Sequence, residues 1–274
     1  MEKLSGKTAL VTGSTDGVGR LVARKLGQAG ARVLVHGRDA ERGARVVADI
    51  KASGGSADFL AADLSALAEV RRLADEARAT VDRLDILINN AGIGTAGPRQ
   101  TSAEGFELRF AVNYLAGFLL TLLLLPLIKN SAPARIVNVS SAGQQPIDFG
   151  DVMLTRGYSG TRAYCQSKLA QIMFTIDLGA LLEDRRGGQT GGSRWGAQSI
   201  VFSGIDGRLL GDPIACLHGG RTNALRTPKT EVLPPRALWS GPRSPWSIQS
   251  PINGLVPFGH CLGQKTRGQE ARER

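Results

Sequence analysis

The sequence predicts an α/β fold, a Rossmann-like doubly wound parallel sheet with helices on both faces and an irregular C-terminal third. Three observations carry that prediction. Short apolar runs alternate with amphipathic stretches from residue 8 to residue 182, the first run ends in a glycine-rich turn, and the alternation stops near residue 186. Repeated strand–helix units require parallel strands, and parallel strands are buried on both faces.

The elements follow in order. Thr8 to Thr12 is a short apolar strand entering the glycine turn, and Val18, Leu21, Val22, Lys25, Leu26 and Ala29 recur at helical spacing until Gly30 stops the helix. Ala31 to Val35 is the second strand, Asp39 to Ala52 a charged amphipathic helix ended by Gly54-Gly55, and Ala57 to Ala61 the third strand. Leu67 to Thr80 reads as a helix, Leu84 to Ile88 as the fourth strand, and Glu104 to Ile128 as a long helical stretch. Arg135 to Val139 is the fifth strand and Tyr158 to Leu182 a second long helix.

Charge divides the chain. Residues 1–185 hold 22 Lys/Arg against 19 Asp/Glu, whereas residues 186–274 hold 12 against 5, together with all three tryptophans and eight of the twelve prolines. The division predicts a dinucleotide-binding catalytic domain over 1–185 and a basic Gly/Pro/Arg-rich tail over 186–274. Dispersed charge without a recognisable nucleic-acid fold argues against a nucleic-acid partner. Cys165, Cys216 and Cys261 are too scattered for a disulfide framework or metal site, and with no secretory signal at Met1 to Lys7 they point to a reducing, cytoplasmic setting. The longest apolar run, Phe118 to Ile128, is shorter than a bilayer and contains Pro126, so it reads as a buried helix, with no transmembrane segment.

The turn from Thr12 to Gly19 joins the first strand to the first helix, with Ser14, Asp16 and Val18 between Gly13, Gly17 and Gly19. Glycines here permit a sharp turn, a close approach of backbone to a pyrophosphate, and tight helix–strand packing, so the turn is a dinucleotide-binding candidate. At the end of the second strand, Gly37-Arg38 leaves room for a 2′-phosphate and offers a cation, favouring NADP(H) with NAD(H) as the alternative; Asp39 is a candidate helix cap. Asp63-Leu64 follows the third strand, where Asp63 either meets the adenine amino group or caps a helix. Asn89-Asn90-Ala91-Gly92 follows the fourth, with small residues that admit a cofactor. Asn113 lies in an apolar helix, either as a satisfied core amide or as a water-holding group beside a site.

Ser140-Ser141 ends the fifth strand, at the edge where ligands bind in open α/β sheets. Tyr164 and Lys168 are four residues apart, so both lie on one helical face. A nearby ammonium favours the phenolate; lowering a tyrosine pKa from about 10 by ~3 units takes ~4 kcal/mol, within reach of one close charge.

With these motifs in order, the chain resembles the short-chain dehydrogenase/reductase family. The resemblance implies that Tyr164 is the acid/base, Lys168 lowers its pKa and holds the nicotinamide ribose, Ser141 orients the substrate carbonyl, and Asn113 anchors a proton-relay water. The 23 residues from Ser141 to Tyr164, and Ala163-Tyr-Cys-Gln-Ser-Lys-Leu-Ala170, are similar to the branch of retinol dehydrogenases and WW-domain oxidoreductase. That branch implies hydride transfer between NADP(H) and a lipophilic aldehyde, ketone or alcohol, and the family resemblance implies a homodimer formed through the helices carrying Asn113 and Tyr164. The resemblance covers residues 5–183. Beyond it, no Pro-Gly loop follows a strand and Ile200-Val201-Phe202 is the one strand candidate, so the sheet is expected to stay open beyond the fifth strand. A frame-shifted segment and a genuine basic appendage are the two readings of that tail. A catalytically impaired, cofactor-binding or interaction protein is the alternative function.

Overall fold

The computed structural model describes residues 4–184 and 196–202. Six parallel strands form one sheet in the order β3-β2-β1-β4-β5-β6. They are β1 (Thr8–Val11), β2 (Arg32–Gly37), β3 (Ser56–Ala61), β4 (Ile86–Asn89), β5 (Arg135–Ser141) and β6 (Gly196–Phe202). Helices α1 (Gly17–Gln28), α2 (Ala40–Ala52) and α3 (Leu67–Thr80) connect the first four strands. Two long helices follow, α4 (Leu108–Asn130) and α5 (Gly160–Asp184). The strand order reverses direction between β1 and β4, which opens a crevice at their C-terminal ends.

Each face of the sheet carries its own core. Val22, Ala23 and Leu26 of α1 and Val46 and Ile50 of α2 pack with Val11, Val33 and Ile88 on one face. On the other, Leu73 and Ala77 of α3, Leu120, Leu124 and Ile128 of α4 and Phe174 and Leu178 of α5 cover Leu10, Leu87 and Ile136. Period-two alternation in the strands puts neighbours on opposite faces, which is why the central strands carry near-continuous apolar runs such as Ala9-Leu10-Val11, Val33-Leu34-Val35 and Ile86-Leu87-Ile88.

The expectation of a sheet open after the fifth strand is corrected. β6 pairs in parallel with β5 from Arg135↔Gly196 to Ser141↔Phe202, so the sheet recruits a strand from beyond residue 185. A seven-residue ladder satisfies backbone groups that β5 would otherwise present at an edge. The two readings of the tail, a frame-shifted segment and a basic appendage, fall on residues that lie outside the described ones.

Several boundaries differ from the sequence expectation by a few residues, and side-chain hydrogen bonds explain two of them. The helix expected from Glu104 starts at Leu108, because Glu107 caps Phe110 N at 2.7 Å while Ser102 takes the amide of Glu104. The fourth strand begins at Ile86, because Asp85 accepts from Thr8 N and Lys7 Nζ, each at 2.9 Å, and from Arg83. The apolar run from Phe118 to Ile128, read by itself as shorter than a bilayer, lies within the long helix expected there. α4 runs for 23 residues with Pro126 inside it, and by length and composition it is apolar enough to cross a membrane. Length therefore does not exclude a span; in this fold α4 lays Leu120, Leu124 and Ile128 against the sheet.

Candidate active site and cofactor cradle

The site forms where β1, β4 and β5 end and α5 begins. Gly13 and Gly17 take positive φ values of 63° and 52°, which L side chains rarely adopt. A Cβ on Gly13 would stand 2.8 Å from Ala91 Cα, and one on Gly19 would stand 2.2 Å from the Gly13 carbonyl oxygen and 2.4 Å from Asn90 Nδ2. A Cβ on Gly17 would meet nothing within 4 Å, so this side of the turn is open. The cradle thus has the shape a dinucleotide needs, packed by two glycines behind and open at the third. Asp16 caps α1 by accepting from Gly17 N at 2.7 Å.

Neighbouring candidates divide between lining and support. Ser14 is fully buried, and its hydroxyl donates to Val11 O at 2.7 Å and accepts from His36 N at 2.9 Å, so it braces the ends of β1 and β2. Val18 packs against the core on one face of the sheet and Leu64 belongs to the core on the other. Asn90 Nδ2 donates to Thr12 O at 2.9 Å and Gly13 O at 3.1 Å, tying the β4 loop to the glycine turn. Ala91 N donates to the Thr12 hydroxyl at 3.0 Å. Arg38 is exposed at the end of β2 with its guanidinium 3.9 Å from Asp63, whose carboxylate also accepts from Ser65 N. Arg42, on the first turn of α2, is 3.3 Å from Asp16 and 3.4 Å from Asp39. Both cations follow the end of β2, and sequence reading found only the first.

Replacing Gly19 with alanine is expected to weaken NADPH binding by about 5- to 150-fold, since overpacking of this kind costs ~1–3 kcal/mol. The added methyl would push the Gly13 carbonyl and Asn90 out of the cradle. Titration of cofactor fluorescence checks this, and unchanged affinity would show that the turn is not the binding element.

His36, read from sequence as a strand-end residue, has a defined partner. Its Nδ1 accepts from Gly13 N at 3.1 Å, and Nε2 has no hydrogen-bond partner among the described residues. Burial pushes the imidazole down from 6.5 to about 4, against the smaller opposing pull of the Ala62 carbonyl and the Asp63 carboxylate. The neutral form is therefore the folded form. Stability from this group is fully present above about pH 6.5 and lost as pH falls through about 4, a loss of ~3 kcal/mol. Urea unfolding of the chain and of His36→Gln between those pH values tests it: the two curves should converge towards acid, and parallel curves would refute the assignment.

The fifth strand separates its two serines. Ser140 is buried and donates to Lys168 O at 2.8 Å, whereas Ser141 Oγ accepts from Gly143 N at 3.1 Å in the crevice. A Cβ on Gly143 would lie 3.5 Å from Ser141 Oγ and 3.8 Å from the Tyr164 ring, so both side chains converge on this glycine. Lys168 Nζ is 5.7 Å from the Tyr164 ring centroid and donates to Val139 O at 2.9 Å and Gln171 Oε1 at 3.0 Å. Burial pushes the ammonium down from 10.5 to about 8. A Cβ on Gly92 would be 3.3 Å from Asn113 Oδ1 and 3.6 Å from Lys168 Nζ, which brings the β4 loop, α4 and α5 to one point.

Asn113 sits in a π-helical turn, Ala111–Leu115, inside α4. Such turns insert an extra residue and re-aim a side chain, often at functional sites. Its amide accepts from Ile93 N at 2.8 Å and donates to Ser167 Oγ at 3.0 Å and Ile93 O at 3.2 Å. The side chain is therefore a satisfied buried amide that positions the β4 loop against α5.

A buried ionic cluster escaped sequence reading. Glu107 and Arg109 are 3.5 Å apart, with side chains 0% and 4% exposed. Arg109 donates to Gly94 O at 2.8 Å, to Ala96 O and to the Tyr158 hydroxyl, which in turn donates to Glu107 at 3.1 Å. The cluster fastens the β4 loop, the start of α4 and the approach to α5. A Glu-x-Arg followed about fifty residues later by a tyrosine carries no local signal; only the fold brings the three together.

The comparisons with known proteins agree with this geometry. The family model described as "short chain dehydrogenase" matches residues 7–186. Mouse (Mus musculus) polyprenol dehydrogenase is 43% identical over 188 residues, covering 66% of this chain and 56% of that protein. Human (Homo sapiens) retinol dehydrogenase 11 is 42% identical over 185 residues, covering 66% and 58%. The chain thus spans little more than half the length of these relatives.

Among solved structures, an uncharacterised protein from Mycobacterium paratuberculosis has a TM-score of 0.63 at 34% identity, over 73% of this chain and 69% of that one. A metagenomic short-chain oxidoreductase in complex with NADP has a TM-score of 0.56 at 31% identity, over 73% and 81%. A Burkholderia phymatum relative in complex with NAD has a TM-score of 0.58 at 28% identity, over 74% and 67%. Fold, motif order and sequence similarity lead to one conclusion: the chain belongs to the short-chain dehydrogenase family, in the branch of the retinol dehydrogenases.

Proposed function

We propose that the chain is an oxidoreductase that reduces a lipophilic aldehyde or ketone, or oxidises the matching alcohol, with NADP(H). The observation that carries this reading is the convergence of Ser141 and Tyr164 on Gly143, with Lys168 Nζ 5.7 Å from the Tyr164 ring. The nicotinamide cofactor supplies or accepts the hydride when bound. In the reducing direction, Ser141 donates a hydrogen bond to the carbonyl oxygen and Tyr164 gives that oxygen its proton, leaving an alcohol. The buried ammonium of Lys168 favours the resulting phenolate. The glycine turn, Asn90 and Gly92 leave room for the cofactor, and Arg38 with Arg42 favours the 2′-phosphate form.

The lipophilic substrate class rests on the retinol and polyprenol dehydrogenases among the relatives. The homodimer through α4 and α5 is supported by Met173 and Ile176, large apolar residues one turn apart and exposed on α5. A cytoplasmic placement rests on the scattered cysteines alone.

NADPH oxidation with a panel of lipophilic aldehydes and ketones, run beside NADH and beside Tyr164→Phe, tests the reading. Turnover that depends on Tyr164 and prefers NADPH is expected. Equal rates in both proteins would leave the rival reading, a cofactor-binding relative without turnover.

A further inference from the structure

Lys168 is a buried cation with no carboxylate within ion-pair distance among the described residues. A buried charge needs partners, because desolvation is otherwise uncompensated. Its two partners are the Val139 carbonyl at 2.9 Å and the amide oxygen of Gln171 at 3.0 Å. Among the described residues the elements around it offer no other charge: β5 faces it with that carbonyl, the β4 loop with Gly92, and the π turn of α4 with Asn113. The titratable group that faces it is Tyr164, on its own helix.

Gln171 is itself buried, and its backbone carbonyl accepts from Thr175 Oγ1 at 2.7 Å, as Thr175 Oγ1 accepts from Asn138 at 2.9 Å. The helix turn that presents the amide is thus tied to β5. Of the three N–H groups of the ammonium, Val139 and Gln171 take two.

We propose that Gln171 is a positioning residue whose amide oxygen keeps Lys168 charged and parked against β5, within reach of Tyr164. This rests on the reading of Tyr164 and Lys168 given under Proposed function. A neutral acceptor suits this place. An apolar side chain would leave the ammonium half-solvated by protein and easier to deprotonate, while a carboxylate would hold the charge but cancel its field at the phenol.

The two alternatives predict opposite shifts, which a merely structural role would not produce. Full-length protein with isotope-labelled lysine is titrated by NMR as wild type, Gln171→Met and Gln171→Glu, with the Lys168 signal assigned by its loss in Lys168→Met. The Lys168 midpoint is expected to fall by about one unit in Gln171→Met and to rise by about one unit in Gln171→Glu. The basic limb of kcat/KM for carbonyl reduction, which reports loss of the Tyr164 proton, should move towards alkali in both variants, because either change weakens the positive field at the phenol. A midpoint unmoved in both variants overturns the proposal, as does a midpoint that moves while the basic limb stays. If wild type has no turnover, the oxidoreductase reading fails on its own; opposite Lys168 shifts then still uphold the Gln171 contact, and their absence overturns it.

Discussion

Replacing Tyr164 with phenylalanine is expected to lower kcat for carbonyl reduction about 10²–10⁴-fold, the usual worth of a positioned proton donor. The substitution removes one oxygen and little else. The ring still stands 5.7 Å from Lys168 Nζ, and Ser141 keeps its bond to Gly143 N at 3.1 Å. The Tyr164 hydroxyl makes no hydrogen bond among the described residues, so its loss strands no buried partner. Stability should therefore hardly change, and NADPH affinity should remain near wild type because the cradle residues are untouched. Stopped-flow turnover, cofactor titration and a urea unfolding curve on the same preparation separate these effects. A variant that keeps wild-type turnover would assign the proton to another group; one that loses cofactor binding as well would make Tyr164 part of the cradle.

Arg109→Met is expected to destabilise the fold by about 3–5 kcal/mol, the cost of breaking a buried ion pair from one side. Glu107 has no exposed surface, and without the guanidinium its charge keeps only Tyr158 and the Phe110 amide as partners. The carbonyls of Gly94 and Ala96 lose their donor at the same time. Arg109→Met combined with Glu107→Gln should recover part of the loss, because the stranded charge is then gone. Urea midpoints of the four proteins in the cycle measure the coupling. Additive losses would mean that the pair contributes nothing jointly. The β4 loop, which also holds Gly92 and Ile93 beside Asn113, should open first in the single variant, visible as faster hydrogen exchange from residues 93 to 97.

What was legible in the sequence is local or periodic. The strand–helix alternation gave five strands and their intervening helices, because burial on both faces writes continuous apolar runs. Gly13, Gly17 and Gly19 were legible because a positive φ at the first two and a close approach at the third restrict those places to one residue type. Ser141 could be preferred to Ser140 only through the family resemblance; the strand itself shows why, by turning Ser140 inward to Lys168 O. Asn113 was noticed as a polar residue in an apolar helix, but the π turn that aims it has no composition of its own. The sixth strand was only half seen: Ile200-Val201-Phe202 marked its end, whereas Gly196 to Ser199 has no apolar pattern and is placed by pairing with β5.

By itself, then, the sequence determined the layer architecture, the glycine turn and the Tyr164/Lys168 spacing, all of which depend on residues near one another along the chain. Tertiary structure alone decided which distant groups serve them. His36 holds the amide of Gly13, Gln171 and Val139 hold the ammonium of Lys168, and Glu107, Arg109 and Tyr158 close around one another over a separation of about fifty residues. The reason is desolvation. A buried polar group must find a partner, but any residue of suitable chemistry can supply it, so the choice is made where the chain packs and leaves no local mark.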